Sequence, residues 1–438
     1  MASGHVAVVG GGLAGLTAAV HLKRAGCRVD LFERSRLLGG KATSFSVDGV
    51  EVDNGQHVYL ACCTELIDFL DSLGFAHDGT HQTPALALQP RFEVLMLRRG
   101  RRPVRLAAGR FPPPLHLLPA LLVHHGLGLR GRLQLAFAML GALTEPLPGE
   151  TFAHWLKRHG QQPSTWANFW EPFLVPALNA PLDQVSADAA LFVIRTAFLQ
   201  DAHSARFGFS RVPLAHLAQR AAAELDEVRM RTPVVRVRLP ERRAESGIEL
   251  EMTAGRVASF DAVVLAVPPR RLSALLGSPK HFGVFGLSQF REAPIVDVHL
   301  WYQRNPLGFA FAAVLDSPLQ WIFEKSSPSG ELYLCCSMSA ANEEVEQPTQ
   351  ELVELCRSEL QAVLPALDGV ELLRSAVTRD REATFIPTIG LVRPAQRTSV
   401  PQVALAGAWT DTGWPATMES AVRSGRLAAS ALLETHAA

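Results

Sequence analysis

The segment His5–Gly15, HVAVVGGGLAG, decides the fold. His5–Val9 is a short valine-rich run, the pattern of a strand buried on both faces of a parallel sheet. Gly10, Gly12 and Gly15 follow as G-x-G-x-x-G. Leu13, Leu16, Ala19, Val20 and Leu22 then recur with helical period up to Gly26, a residue suited to the position after a helix C-terminus. A second strand, Arg28–Phe32, ends at Glu33, 18 residues beyond Gly15. Gly10 permits a tight turn, Gly12 lets the backbone approach a pyrophosphate, and Gly15 lets the helix pack closely on the strand. The helix start at Leu13 and Ala14 offers free N–H groups and a partial positive charge to phosphates. Glu33 can accept hydrogen bonds from a ribose 2′-OH and would repel a 2′-phosphate. A glycine triplet alone is weak evidence, but the complete strand–turn–helix–strand–acid unit reads as a dinucleotide site.

The chain around this unit has 438 residues, room for two or three domains or for one large α/β domain carrying an insertion. Its 42 basic residues balance 42 acidic ones, which excludes a broad non-specific nucleic-acid binder. Hydrophobic residues make up 48%, which excludes global disorder. Charged residues make up 19%, below the ~25% of an average soluble chain, so apolar material is in surplus. The six cysteines form no CxxC, and Cys62-Cys63 and Cys335-Cys336 are sequence neighbours that suit disulfide geometry poorly. Free thiols in a reducing compartment and no metal site are expected. The N-terminal stretch has no secretory pattern and no run approaches the ~18 apolar residues of a membrane span, so the expected location is cytoplasmic.

Beyond Glu33 the run Arg34-Ser35-Arg36-Leu37-Leu38-Gly39-Gly40-Lys41 adds a second glycine turn and a cation, useful where an extended FAD must meet backbone and charge. Near the other end, Val403–Gly407 is another buried-strand pattern. The loop Ala408–Ala416 follows it, and then a helix whose apolar residues run from Ala421 to Leu433, with Thr417 as N-cap. This set resembles the FAD-dependent amine oxidase / phytoene desaturase superfamily. Two departures stand out: Lys41 replaces the more usual arginine, losing the bidentate fork, and Ala408 replaces the aspartate that holds the ribityl chain, with Asp411 three residues on. The resemblance implies that the C-terminal helix points its positive end at the flavin pyrimidine edge and favours reduction.

Asp53-Asn54-Gly55-Gln56-His57, Glu171-Pro172-Phe173, Ala177–Ser186 (ALNAPLDQVS), Asp261–Arg270 (DAVVLAVPPR) and above all TDTGWPATMESAVRSG, starting at Thr410, narrow the resemblance further. Together they are similar to the hydroxysqualene dehydroxylase family, also called squalene-associated FAD-dependent desaturases, along essentially the whole chain. That resemblance implies an enzyme that removes the hydroxyl of hydroxysqualene reductively to give squalene in hopanoid supply. Hydride from reduced flavin N5 would reach an allylic cation in a dry apolar tunnel. It implies FAD contacts at Gly10, Gly12, Leu13, Ala14, Gly15, Glu33, Arg34, Gly39, Gly40, Lys41, Gly55, Gln56, His57, Val234, Gly407, Ala408, Trp414, Thr417 and Met418. His57, Asp53 and Asp411 are the candidate catalytic residues, with Glu419 a further acid near the flavin motif. Trp409 and Trp414 line the isoalloxazine or fill the core. A carotenoid or phytoene desaturase, an amine oxidase and a non-catalytic prenyl-binding protein of the Rab GDP-dissociation inhibitor type are the rivals.

The expected architecture is α/β: a discontinuous Rossmann-type FAD-binding domain (1–80, 205–275 and 385–438) with an inserted α+β substrate domain (81–204 and 276–384). Strands are expected at 233–238, 263–267 and 403–407, a mainly helical stretch at about 110–225 and a strand-rich one at about 281–380. Phe111–Leu143 carries full charges only at Arg130 and Arg132, while Pro119 and several glycines interrupt it. It reads as a helical cap over a substrate tunnel and as a monotopic patch dipping into the inner face of the cell membrane. The expected partners are a hydrophobic C30 isoprenoid substrate, the peripheral membrane contact, upstream isoprenoid synthases and an electron donor of unknown kind, since no second nucleotide fingerprint is present.

Overall fold

The computed structural model describes residues 4–75, 86–124, 126–239, 247–325 and 330–435. The expected boundary between 80 and 81 lies outside them.

A parallel five-stranded sheet carries the nucleotide unit. Its order is Glu227–Arg229, Arg28–Phe32, His5–Val9, Ala262–Leu265 and Val403–Leu405. His5–Val9 is central, so residues on both its faces are buried: Val6 and Val8 join one core, Ala7 and Val9 the other. Helices Leu13–Arg24 and Met418–Thr435 cover the first face, and a Cβ on Gly425 would run into the Ala14 carbonyl. The C-terminal helix is thereby seated directly on the N-terminal one. The antiparallel meander Val234–Arg238, Ile248–Met252, Val257–Phe260 and helix Pro269–Leu276 cover the other face. The 233–238 strand thus belongs to this cover layer. The outer place in the parallel sheet goes to Glu227–Arg229, three residues too short for a periodicity signal.

A seven-stranded sheet forms the second body: Leu372–Phe385, Glu292–Tyr302, Leu332–Ser339, Trp321–Lys325, Phe311–Val314, Glu93–Leu97 and Val104–Ala107. Strand alternation divides its residues cleanly. Leu334, Cys336, Val296, Val298 and Ile322 pack under helix Thr349–Val363. Trp321, Phe323, Phe311 and Cys335 face the opposite way, toward helices between 129 and 199. The mainly helical stretch contains one strand, Phe207–Ser210, which pairs with Val58–Leu60 and Leu86–Leu88. Gly208 lies against the Tyr59 ring, where a Cβ would clash.

Phe111–Leu143 contains a one-turn helix Leu115–Leu117, helix Leu118–Val123 and helix Leu129–Gly141. Leu135, Ala138 and Met139 join the core, whereas Leu122, Leu129 and Phe137 are 66%, 75% and 70% exposed. No helix among the described residues is long and apolar enough to cross a membrane.

Candidate flavin and substrate site

The two glycine turns meet backbone to backbone. Gly10 sits at φ +112°, and its N–H donates to Phe32 O at 2.8 Å. A Cβ on Gly15 would run into Gly10 O, so the helix can start this close only with glycine there. Gly39 N–H donates to Gly11 O at 2.8 Å, Gly12 and Gly39 form a bridge, and a Cβ on Gly40 would come within 3.0 Å of Gly12 Cα. Gly12, by contrast, faces open space: an added Cβ would meet only Gly40 Cα, at 3.8 Å. This leaves a cleft floored by glycine backbone at the positive end of helix Leu13–Arg24, whose first turn holds no acid. It is the cradle a diphosphate needs.

Glu33 lies at its edge, accepting from Gly11 N–H and Ser35 N–H at 2.7 Å each. Each oxygen therefore accepts one backbone N–H of the turns while a further lone pair on each remains for a ribose. Thr232 N–H donates to Glu33 O at 2.9 Å, which sets Val234 beside the same edge, and Arg34 is exposed next to it. Lys41 turns elsewhere: its ammonium donates to the Glu382 carbonyl and, at 2.9 Å, to Ala383 O. It ties the turn to strand Leu372–Phe385.

The C-terminal loop is organised by Arg393, a residue the motif reading passed over. Its guanidinium donates to the carbonyls of Ala408 (2.7 Å), Trp414 (2.5 Å), Trp409 (3.3 Å) and Thr410. Burial lowers its pKa to about 10, against the pull of Asp411. A side chain buried among carbonyls in this way fixes the path of the whole Ala408–Ser420 loop. The signal that could have found it is a lone arginine in the run Leu391–Ala395 preceding the strand. Asp411 is exposed, and it accepts from Gly413 N–H at 3.3 Å in a local turn. Ala408 O also accepts from Ser420 Oγ at 3.0 Å, and Gly407 N–H donates to Ser424 Oγ at 2.9 Å. Trp409 is core, its indole N–H on Val267 O at 3.0 Å. Trp414 stacks under the Arg423 guanidinium and meets Phe192 edge-on. Thr417 Oγ1 accepts from Ser420 N–H at 3.2 Å as N-cap of the helix that opens at Met418. Glu419 is fully buried and caps a different helix, Thr64–Ser72, accepting from Leu66 N–H at 2.7 Å and from Arg423 Nε at 2.6 Å.

The remaining acids separate by partner. Asp53 Oδ1 accepts from Ser44 Oγ (2.6 Å) and Leu214 N–H (3.0 Å), and Oδ2 pairs with Lys325 Nζ at 2.5 Å. Burial alone would raise its pKa, but Lys325, Ser44 and the Leu214 N–H together hold it below the usual carboxylate range. An acid kept ionised cannot give up a proton at neutral pH, so Asp53 is a structural anchor. His57 is kept neutral by burial, with Nδ1 3.4 Å from Gly55 O. Asp297, on strand Glu292–Tyr302, is the carboxyl that sequence reasoning missed. It is 2% exposed, accepts from Ser337 Oγ and Gln56 N–H, and has Cys335 Sγ at 3.7 Å. Burial raises its pKa to about 6. A Cβ on Gly55 would come within 2.7 Å of Asp297 Oδ2, so the Gly55–His57 turn lies directly on this acid. Gln56 Oε1 is buried with no partner among the described residues, an acceptor left over for a bound molecule.

The open glycine cradle, the carboxylate at its edge and this orphaned acceptor fit FAD. The chain belongs to the flavin containing amine oxidoreductase family, whose model matches residues 13–433, and it is an FAD-dependent oxidoreductase. Among curated proteins it is 29% identical to a hydroxysqualene dehydroxylase of Rhodopseudomonas palustris, covering 98% of both chains. It is 28% identical to a hydroxysqualene dehydroxylase of Sinorhizobium fredii, covering 99% of both. A 15-cis-phytoene desaturase of Arabidopsis thaliana is 24% identical over 98% of this chain and 80% of its own. Among solved structures, cyclohexylamine oxidase from Brevibacterium oxydans superposes with a TM-score of 0.73 at 18% identity, covering 99% of this chain and 100% of that one. Reduced UDP-galactopyranose mutase gives 0.72 at 18%, covering 98% and 96%. These two confirm the fold.

Proposed function

We propose that this chain reduces hydroxysqualene to squalene. The near full-length similarity to enzymes named for that reaction supports the reading, at 26–29% identity against 22–25% for the phytoene desaturases. FAD, when bound and reduced, supplies a hydride. The glycine turns hold its diphosphate and Glu33 its ribose. Arg393 fixes the loop that leads to the helix Met418–Thr435. The face of the seven-stranded sheet that carries Trp321, Phe311 and Phe323 gives an aromatic wall, with Phe207 5.5 Å from Trp321 between ring centroids. Such a wall excludes water and offers π faces to a polyene that becomes cationic.

The segment Phe111–Leu143 serves substrate entry in this reading. Leu122, Leu129, Leu133, Phe137 and Leu140 stay exposed on its helices, which a hydrocarbon or bilayer surface would cover. With zero net charge, attachment at the inner face of the membrane rests on apolar contact, and squalene-type substrates arrive from lipid and from isoprenoid synthases upstream. Incubation of the FAD-loaded, chemically reduced protein with hydroxysqualene in vesicles tests the function: squalene is expected, and a desaturated polyene formed by the oxidised protein would favour the carotenoid-type alternative. Flotation of the protein with neutral liposomes tests the membrane contact, which fails if the protein stays wholly in the aqueous fraction.

A further inference from the structure

Loss of an allylic hydroxyl needs a proton donor in a dry place. Asp53 is paired with Lys325, Glu419 caps a helix, Asp411 is exposed and His57 is neutral, so none of these four is placed to donate. Asp297 differs in position. Across the seven-stranded sheet, Asp297 pairs with Ser337, Ser337 with Trp321, and Trp321 with Ala313. Paired residues share a sheet face, so the acid lies in line with Trp321 on the aromatic side. At its other end it touches Gly55 and the Gln56 N–H, on the turn beside the orphaned Gln56 Oε1. An elongated apolar substrate entering between this face and the Phe173 and Phe207 rings packed on it would thus bring one end to a buried carboxyl on the Gly55–His57 turn.

We propose that Asp297 is the general acid that protonates the departing hydroxyl of the substrate. This rests on the function proposed above and names the group that function lacks. The carboxyl gives its proton to the hydroxyl oxygen, the C–O bond breaks with both electrons leaving on water, and the carbon is left as an allylic cation. Reduced flavin, when bound, would supply the hydride that completes the C–H bond, and the Asp297 carboxylate regains a proton from solvent. Burial in this wall favours the protonated carboxyl, and the filling of the site with hydrocarbon strengthens that preference. Charged and titratable groups around it are Cys335 and Tyr333 on one neighbouring strand, Asp380 on the other, Lys325 on the strand beyond Leu332–Ser339, His299 on its own strand, and Asp53 and His57 on the hairpin and turn. Lys325 is a cation among them; it pairs with Asp53 and also pulls the Asp297 pKa down, an effect smaller than the burial that raises it. Ser337 and the Gln56 N–H orient the carboxyl.

The test compares wild type, Asp297→Asn and Asp297→Glu, each loaded with FAD, reduced anaerobically and mixed with hydroxysqualene. Asp297→Asn is expected to keep its flavin and to lose about 10²- to 10⁴-fold in squalene formation, with Asp297→Glu recovering part of the rate. The wild-type rate should fall as pH rises above about 6, and the residual Asp297→Asn rate should be flat. A readout without turnover accompanies it: the absorbance of oxidised flavin should show a step with pH in wild type and in Asp297→Glu, and none in Asp297→Asn. An Asp297→Asn rate within threefold of wild type, or an unchanged pH profile or spectral step, overturns the assignment. A wild type that makes no squalene overturns the functional reading, and with it the substrate of this acid.

Discussion

The sharpest separation of cofactor binding from folding is at two neighbouring glycines. Gly12 has φ −75°, a conformation open to any residue, and an added methyl would meet only Gly40 Cα at 3.8 Å. In the protein without flavin, Gly12→Ala therefore costs only about 0.5–1 kcal/mol at a helix N-cap, where alanine is poorer than glycine, offset by the ~0.4–1 kcal/mol gained when the unfolded chain is stiffened. The same methyl stands in the cleft that the diphosphate must enter. Displacing one or two phosphate contacts to backbone N–H groups, at about 1.5–3 kcal/mol each, should weaken FAD from about tenfold, for one contact at the low end, to about 10⁴-fold, for two at the high end. Gly15→Ala is the counter-case, since its methyl would strike Gly10 O and destabilise the fold itself. Thermal melts of the apoproteins and FAD titrations by flavin fluorescence separate the two. Gly12→Ala should melt with wild type and bind FAD poorly, and Gly15→Ala should melt far lower. A Gly12→Ala protein that binds FAD as wild type does, or melts as low as Gly15→Ala, would refute the location of the cradle.

Other consequences follow from the same geometry. Lys325→Met leaves the Asp53 carboxylate buried and unpaired, a loss of about 3–5 kcal/mol near neutral pH by denaturant titration. In wild type the depressed Asp53 pKa contributes stability above the ordinary carboxylate range, lost as pH falls through its folded value; in Lys325→Met, burial is opposed only by Ser44 and the Leu214 N–H and that pKa rises relative to wild type, so the gap between the two proteins should narrow on acidification. Glu419→Ala strips the cap from helix Thr64–Ser72 and one of the two carboxylate partners, with Glu65, from Arg423, and a loss of about 2–3 kcal/mol is expected in the same assay. The pair Leu122→Glu and Phe137→Glu, both at exposed positions, should abolish liposome flotation while leaving the melting temperature within a few degrees; unchanged flotation would remove this surface from the membrane contact.

What could be read in the sequence was what chain-local chemistry dictates. The turn at Gly10, the strand–helix alternation on either side of it, and the Thr417 cap all depend on residues a few places apart, and each forms where its pattern lies. The short strands Glu227–Arg229 and Phe207–Ser210 carried too few residues for a period and owe their state to partners far away in sequence. The acids were least legible. Asp53 and Asp297 both lie in strands, and their opposite states depend on Lys325, 272 positions from Asp53, and on the turn that Gly55 folds onto Asp297. Lys41 carried the expected charge and spends it on carbonyls of strand Leu372–Phe385, a contact 342 positions away. The apolar surplus in the composition found a specific outlet in the exposed face of Phe111–Leu143.

The central claim is reduction of an allylic alcohol at this flavin site. The most direct measurement is an anaerobic single turnover: photoreduced, FAD-loaded protein mixed with hydroxysqualene, with flavin reoxidation followed by absorbance and squalene by mass spectrometry. The account predicts one squalene formed for each flavin reoxidised, in step with it. Flavin that stays reduced with hydroxysqualene intact, or flavin that reoxidises without squalene, would contradict it.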